Sequence, residues 1–277
     1  MHTFLLDLLV CPTCHHELTW TQVVRDGDRV NSAVAECAGC GASYPVREDI
    51  GIFLTPDLPR DDLWEQASGL MRAIQQQPDL QKALLDVPLD SLNPADQFFR
   101  GMVLEELGEF DSARDVFNTA MGGLYSQGYR DCWQRQTDEL LRQIAEIKDA
   151  PILDLASGRG YLVERMLNHM QQPIIASDFS PRVLRRDRRY WQHFGQYDRL
   201  SLLCFDARRM PVRDGGINVM TTNLGLPNIE NPDLLLRELR RVISGSLFAI
   251  SHFYPPDDPT NQPALRQAGI EVMLTEN

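Results

Sequence analysis

The sequence Ile152-Leu153-Asp154-Leu155-Ala156-Ser157-Gly158-Arg159-Gly160-Tyr161 joins an apolar run to a turn that contains two glycines. The apolar run predicts a buried strand, and the glycines predict a tight turn into a helix where the backbone can approach a ligand closely. Two further apolar runs end in carboxylates, at Asp178 and at Asp206. Because each carboxylate follows a strand, we expect all three at one edge of a parallel sheet.

The rest of the carboxyl-terminal half alternates between strand and helix patterns. Apolar runs lie at 152–156, 173–177, 200–205, 217–222 and 246–251, and helix patterns lie at 161–170, 181–194 and 232–243. This alternation is typical of an α/β fold with a doubly wound, Rossmann-like and mostly parallel sheet. A sixth apolar run, 270–274, predicts one more strand, and no seventh strand is recognisable after it.

Two common nucleotide-binding patterns do not fit this turn. The dinucleotide pattern G-x-G-x-x-G/A would begin at Gly158 and end at Val163, which is neither glycine nor alanine. The chain also lacks the Gly-Lys-Ser/Thr of a P-loop. Over residues 150–275 it instead resembles the class I S-adenosylmethionine-dependent methyltransferases. The resemblance rests on residues 154–160, where Ala156 replaces the usual first glycine, on Asp178, and on residues 206–212 and 237–245.

The resemblance implies S-adenosylmethionine as the cofactor. Asp178 would accept hydrogen bonds from the ribose hydroxyls, and Asp206 with Ala207 would lie against the adenine. The other cofactor-binding residues that it implies are Asp154, Ala156, Ser157, Gly158, Gly160, Phe179 and Asn223. Asn218 departs from the family pattern, in which an aspartate often opens the fourth strand.

Methyl transfer from a sulfonium requires mainly that the acceptor be aligned with the sulfur–methyl bond and that water be excluded. A general base is needed only where the acceptor carries a proton of high pKa. His252 follows the fifth predicted strand and is our candidate for that base. The alternative is a histidine with a purely structural role.

The acceptor is predicted from residues 222–228, which lack the Asn/Asp-Pro-Pro-Tyr/Phe loop of amino-nitrogen methylases. This loop is similar to that of small-molecule methyltransferases, including quinone-type carbon methylases, so we expect methyl transfer to a small molecule. The alternatives are a methyltransferase of ribosomal or transfer RNA bases, or a non-catalytic scaffold that binds the cofactor. Five arginines of the helix predicted at 181–194 form either a solvated face or a phosphate-binding patch: Arg182, Arg185, Arg186, Arg188 and Arg189.

Four of the six cysteines form two C-x2-C pairs with 22 residues between them: Cys11, Cys14, Cys37 and Cys40. Two such pairs can hold one Zn²⁺ through four thiolates, as in closed structural zinc sites. The intervening residues predict strands at 18–24 and 29–36, and the segment resembles the zinc ribbons that accompany several methyltransferases. A closed site implies a structural role for the metal. The alternative is a set of reduced cysteines in a small core.

The segment between the ribbon and the predicted sheet has helical patterns only. A helix is predicted at 62–76, another begins at Asn93 and Pro94, and a tight turn is predicted at 107–109. Aromatic side chains share a helix face at Tyr125, Tyr129 and Trp133 and form either internal packing or a lid over the site. We therefore divide the chain into a ribbon (1–56), a helical segment (57–149) and a cofactor domain (150–277). The helical segment could also bind a protein partner, and the sequence does not decide this.

Composition and charge restrict the classes of protein to which this chain can belong. The chain is 43% hydrophobic and 24% charged, as in an ordinary globular protein. No apolar run approaches the roughly 20 residues that span a bilayer, and no secretory leader is recognisable, so we expect a cytoplasmic protein without a membrane partner. The net charge is −12, with 17 acidic against 8 basic groups in residues 61–149, which weighs against nucleic acid as a partner.

Overall fold

A computed structural model describes residues 1–58, 76–147, 150–251, 257, 259 and 262–267. The described residues contain nine strands, which all belong to one sheet. Their bounds are β1 (Leu18–Asp26), β2 (Arg29–Cys37), β3 (Ser43–Arg47), β4 (Ile50–Ile52), β5 (Ile152–Asp154), β6 (Ile174–Asp178), β7 (Leu200–Cys204), β8 (Ile217–Asn223) and β9 (Ile243–Ile250). The five predicted strands of the carboxyl-terminal half are confirmed as β5 to β9.

The helices of the described chain flank this sheet and fill the segment between its two halves. Their bounds are α1 (Leu5–Leu8), α2 (Pro78–Asp86), α3 (Pro94–Leu107), α4 (Phe110–Leu124), α5 (Gln127–Ala145), α6 (Tyr161–His169), α7 (Pro181–His193), α8 (Pro232–Val242) and α9 (Gln262–Gln267), with 3-10 turns at Leu89–Ser91 and Leu226–Asn228. None of them is long and apolar enough to cross a bilayer. The predicted helix at 62–76, apart from its last residue, and the predicted strand at 270–274 lie outside the described residues.

The strand order is β1-β2-β3-β4-β7-β6-β5-β8-β9. Strands β4 to β9 pair in parallel, which confirms the doubly wound α/β prediction. Side chains alternate across the sheet, so Ile152 joins a core with α5, α6 and α7 on one face while Leu153 joins a core with α1 and α8 on the other. Both faces are therefore buried, as a parallel sheet requires.

The ribbon is part of the same sheet. Its strands β1 to β4 pair antiparallel, and β4 then pairs in parallel with β7, where Ile50 lies opposite Leu202 and Ile52 opposite Cys204. The amide of Phe53 also donates to the carbonyl of Cys204 at 2.7 Å. The ribbon thus covers a backbone edge that β7 would otherwise expose. The division into three domains stays a prediction, although ribbon and cofactor segment share one sheet and one core.

The predicted helical hairpin is present as α3 and α4. Asn93 caps α3 by accepting a hydrogen bond from the amide of Asp96 at 2.9 Å, and Pro94 occupies the first turn. Gly108 ends α3 in a left-handed conformation (φ +85°), which glycine adopts without a steric penalty. A Cβ atom at Gly101 would lie 2.6 Å from the ring of Phe117, so the small residue lets the helices approach closely.

We predict that Gly245→Ala destabilises the protein by about 2 kcal/mol or more, because overpacking against backbone cannot relax through a rotamer change. A Cβ atom at Gly245 would lie 2.3 Å from the backbone oxygen of Asn218, where β8 and β9 shift register. The control is Gly122→Ala in α4, where a Cβ atom would meet nothing within 4 Å. Urea unfolding of both variants checks this, and equal stability of the two would contradict it.

Candidate functional site

Three buried carboxylates lie at the carboxyl ends of adjacent strands. Asp154 ends β5, Asp178 ends β6, and Asp206 follows β7 by two residues. They are 1%, 5% and 6% exposed. Because β5, β6 and β7 are neighbours and parallel, the sheet brings all three to the same edge, as the sequence predicts. This edge is where open α/β sheets bind their ligands.

The turn after β5 is wound through left-handed backbone conformations. Ala156, Gly158 and Gly160 have φ angles of +53°, +52° and +74°. Ala156 thus adopts a left-handed conformation, at a cost of about 1–2 kcal/mol for a side-chain-bearing residue. The amide of Ser157 donates to the carbonyl of Ser177 at 2.7 Å, which ties the turn to β6.

Asp178 is oriented by two backbone amides. Its Oδ2 accepts a hydrogen bond from the amide of Gly158 at 3.1 Å, and its Oδ1 accepts one from the amide of Ser180 at 2.9 Å. Backbone donors fix the carboxylate before any ligand arrives, so little conformational freedom is left to lose on binding. Phe179 follows directly and is half-buried at the same edge.

Asp206 is held by an arginine that the sequence reasoning did not assign to it. Its carboxylate accepts hydrogen bonds from the amide and Nε of Arg208, both at 2.9 Å, and from Nη2 at 2.7 Å. Arg208 also contacts Glu230 at 2.9 Å. The carboxylate therefore has strong internal partners, and the buried Ala207 lies between the two residues of the pair. The sequence does not signal the pairing of Asp206 with Arg208, because both lie in one short loop that has no periodic pattern.

Asp154 is fully buried beneath the turn. Burial raises its pKa to about 7, and a hydrogen bond from Thr221 Oγ1 at 2.6 Å opposes that rise. Thr221 lies on β8, which pairs with β5. Asp154 thus links two strands under the site.

The helical segment reaches the site through α5. Trp133 Nε1 donates to Asn223 Oδ1 at 3.2 Å, at the carboxyl end of β8. The rings of Tyr125 and Tyr129 stack with their centroids 4.8 Å apart. The prediction that all three aromatic residues share a helix face is wrong, because Tyr125 is extended and precedes α5, which begins at Gln127. Trp133 contacts a predicted site residue. His252 lies outside the described residues.

Three of the five arginines on α7 are paired with acidic groups of the same chain. Arg182 pairs with Glu106 and Arg186 with Glu105, both from α3. Arg188 Nε lies 3.2 Å from Asp49 of the ribbon. These three arginines form neither a solvated face nor a phosphate-binding patch, because they join α7 to other parts of the chain.

The four cysteines of the ribbon converge. All four Sγ atoms lie within 4.8 Å of one another, with Cys11 and Cys40 3.6 Å apart and Cys14 and Cys37 3.4 Å apart. A tetrahedral Zn²⁺ with bonds of about 2.3 Å requires sulfur–sulfur distances of about 3.8 Å. The donor set and its size therefore fit a closed zinc site, in which the four thiolates would hold the metal.

Residues 8–10, which lead into the first cysteine pair, dock on the loop that contains Asp206. The amide of Val10 donates to the carbonyl of Pro211 at 3.0 Å, and the amide of Arg213 donates to the carbonyl of Leu8 at 3.1 Å. Leu9 forms an isolated bridge with Val212 between these bonds. The ribbon thus supports the predicted adenine-side loop.

Residues 108–272 match the family model of the ubiE/COQ5 methyltransferase family. The chain belongs to this family. The resemblance to class I S-adenosylmethionine-dependent methyltransferases is thereby confirmed. The match includes α4 and α5, and it leaves the ribbon and α3 outside.

Curated relatives of this ubiE/COQ5 family member include two demethylmenaquinone methyltransferases. The protein from Clavibacter sepedonicus is 32% identical over 160 residues, which cover 57% of this chain and 61% of that protein. The protein from Lactiplantibacillus plantarum is 27% identical over 159 residues, which cover 56% and 65%. The chain therefore spans less than two thirds of the length of either relative.

Solved structures also resemble this family member. A putative methyltransferase from Bacillus halodurans is 23% identical over 46% of this chain and 56% of that chain, with a TM-score of 0.41. Geranyl diphosphate C-methyltransferase from Streptomyces coelicolor is 16% identical over 44% and 45%, with a TM-score of 0.39.

We predict that Cys37→Ser lowers both the zinc content and the thermal midpoint, because a structural metal site contributes its binding free energy to folding. Hydrogen exchange should also become faster in residues 206–213, which contact residues 8–10 directly before the first cysteine pair. Cys132→Ser in α5 is the control, since Cys132 is exposed and lies outside the cluster. Elemental analysis showing no metal in the wild-type protein would contradict this prediction.

We predict a pH dependence of stability that originates at Asp154. The folded protein holds the proton of the Asp154 carboxyl group more tightly than the unfolded chain does. The resulting stabilisation of the fold is present below pH 3.8 and is lost as the pH rises to about 7. Asp154→Asn removes this loss, so its stability relative to the wild type should rise between these pH values and level off above. Thr221→Val, which removes the hydrogen bond that lowers this pKa, should extend the loss to higher pH. Urea unfolding across the range checks both trends.

Proposed function

We propose that the protein transfers the methyl group of S-adenosylmethionine to a small-molecule acceptor. The observation that carries this proposal is the Asp178 carboxylate, fixed by the amides of Gly158 and Ser180 beside a left-handed turn. A fixed carboxylate can accept hydrogen bonds from two vicinal hydroxyls, as a ribose presents them, and charged acceptors make strong bonds. Membership in the ubiE/COQ5 methyltransferase family supports the same assignment.

The proposed cofactor site consists of the turn and the strand ends around it. Its residues are Asp154, Ala156, Ser157, Gly158, Gly160, Asp178, Phe179, Asp206, Ala207 and Asn223. The bound cofactor would supply an activated methyl group on a sulfonium. The chain's own residues would bind the ribose, orient the adenine and exclude water from the reacting atoms.

The proposed acceptor is a ring carbon of a quinone-type molecule. The Clavibacter and Lactiplantibacillus relatives are named demethylmenaquinone methyltransferases, and the relative from Acidiphilium cryptum is named a ubiquinone/menaquinone biosynthesis C-methyltransferase. Trp133, hydrogen-bonded to Asn223 at the end of β8, offers an aromatic surface for such a ring. The ring carbon would bond to the methyl group as the sulfur–carbon bond breaks, and the ring carbon would then lose its proton. His252 stays our candidate for the base that takes it.

The zinc site, the location and the domain division belong to the same proposal. Four thiolates leave no open position on a tetrahedral metal, so we assign Zn²⁺ a structural role. A cytoplasmic location and the division at residues 56 and 149 rest on the sequence alone. RNA as acceptor gains no support from α7, because Arg182, Arg186 and Arg188 pair with carboxylates of the chain.

Calorimetry with S-adenosylhomocysteine tests the cofactor site. Asp178→Ala should weaken binding by about 10- to 100-fold, because it removes a hydrogen bond to a charged group, which contributes about 1.5–3 kcal/mol. Asp198→Asn is the control, since Asp198 is exposed and precedes β7 at the opposite end of the strands. Equal affinities of the wild type and Asp178→Ala would overturn the assignment.

Transfer of a labelled methyl group tests the acceptor. The wild-type protein, S-adenosylmethionine and a demethylated quinol should give a labelled ring, and Asp178→Ala should not at limiting cofactor. Label incorporated into RNA instead of the quinol would favour the alternative acceptor. Cofactor binding without any transfer would favour the scaffold.

A further inference from the structure

The helical segment contributes a carboxylate to the cofactor turn. Glu105 lies on α3 and its side chain is 4% exposed. Its Oε2 lies 2.8 Å from Nη2 of Arg159, which stands between the two glycines of the turn. Its Oε1 contacts Nη2 of Arg186 on α7. One buried carboxylate therefore joins three elements that are distant in sequence.

The two arginines are also linked to each other and to a second carboxylate. Arg186 Nη1 donates to the backbone carbonyl of Arg159 at 3.1 Å and pairs with Asp187 Oδ1 at 2.6 Å. Asp187 is 1% exposed. Two buried carboxylates and two partly buried guanidinium groups thus form one cluster. The cluster contacts the turn through both the side chain and the backbone carbonyl of Arg159.

Two aromatic rings also pack against the guanidinium group of Arg159. The Arg159 guanidinium carbon lies 4.3 Å from the ring centre of Phe117 and 5.5 Å from that of Phe98. Both rings come from the α3–α4 hairpin. A cation that is stacked and ion-paired in this way has little freedom to move, so the position of the hairpin fixes the position of the turn.

The turn requires such support because its conformation is locally unfavourable. Three of its residues have positive φ angles, and one of them is an alanine. Conformations of this kind persist only where surrounding contacts over-determine them. From the side of the sheet, the support comes from Ser177 and Asp178. From the outer side, it comes from the Glu105 cluster.

The geometry points to Glu105 as a positioning residue for the cofactor turn, acting through Arg159. It lies three residues before the part of the chain that matches the family, so the helical segment adds a support from outside the matched region. The role of Glu105 rests on the proposed function only for the identity of the ligand that the turn binds. The support of the turn itself can be measured without a ligand.

The adjacent residue offers a matched control. Glu106 lies on the same helix and pairs with Arg182 of α7, which is outside the turn. Its side chain is partly exposed. Glu105→Gln and Glu106→Gln therefore make the same chemical change one residue apart, and only the first removes a negative charge that faces Arg159.

We expect Glu105→Gln to weaken binding of S-adenosylhomocysteine by about 10-fold, within the usual range of coupling between sites, and Glu106→Gln to change it by less than about 2-fold. Hydrogen exchange of the ligand-free protein should become faster in residues 157–161 of Glu105→Gln and stay unchanged there in Glu106→Gln. A purely structural role would instead raise exchange throughout the sheet.

Arg159→Gln extends the test if Glu105→Gln does not fold, since Glu105 then keeps Arg186 as a partner. It should reproduce the weaker binding and the faster exchange in residues 157–161, because it removes the side chain through which Glu105 acts on the turn. Equal affinities and equal exchange in Glu105→Gln and Glu106→Gln would overturn the inference. A wild-type protein that binds no cofactor would overturn the proposed function, while the exchange measurement would still decide the role of Glu105.

Discussion

The hydrogen bond from the amide of Gly158 to the carboxylate of Asp178 joins the two features on which the site depends. It links a turn wound through left-handed conformations to the end of a neighbouring strand. The parallel pairing of β5 with β6 makes this contact possible, because it places the end of one strand beside the beginning of the turn. The remaining structure supports this junction from several directions.

The ribbon supports it from the edge of the sheet. By pairing β4 with β7, it extends the parallel sheet, and residues 8–10 dock on the loop that contains Asp206. A small module with few core residues of its own gains stability in this way, since Tyr44 and Phe53 pack in the same core as Leu203 and Phe205. The cysteine cluster therefore packs in the same core as the strands that carry the turn.

The helical segment supports the junction from the outer face. Glu105 and Phe117 hold Arg159, and Trp133 contacts Asn223 at the end of β8. The arginines of α7 take part in the same packing, since their partners lie on α3 and on the ribbon. A helix rich in arginine thus serves here to join three segments of an acidic chain.

The sequence by itself determined the elements, the turn and the cysteine cluster. Apolar periodicity marks β5 to β9, the glycines mark the turn, and two C-x2-C pairs mark the cysteine cluster, because each of these features is local or repeats at a fixed spacing. Only the tertiary structure decided that β4 pairs with β7, that Arg208 holds Asp206 and that Glu105 reaches Arg159. Glu105 and Arg159 are 54 residues apart, and ion pairs of this kind depend on how helices pack and not on any spacing that a sequence displays.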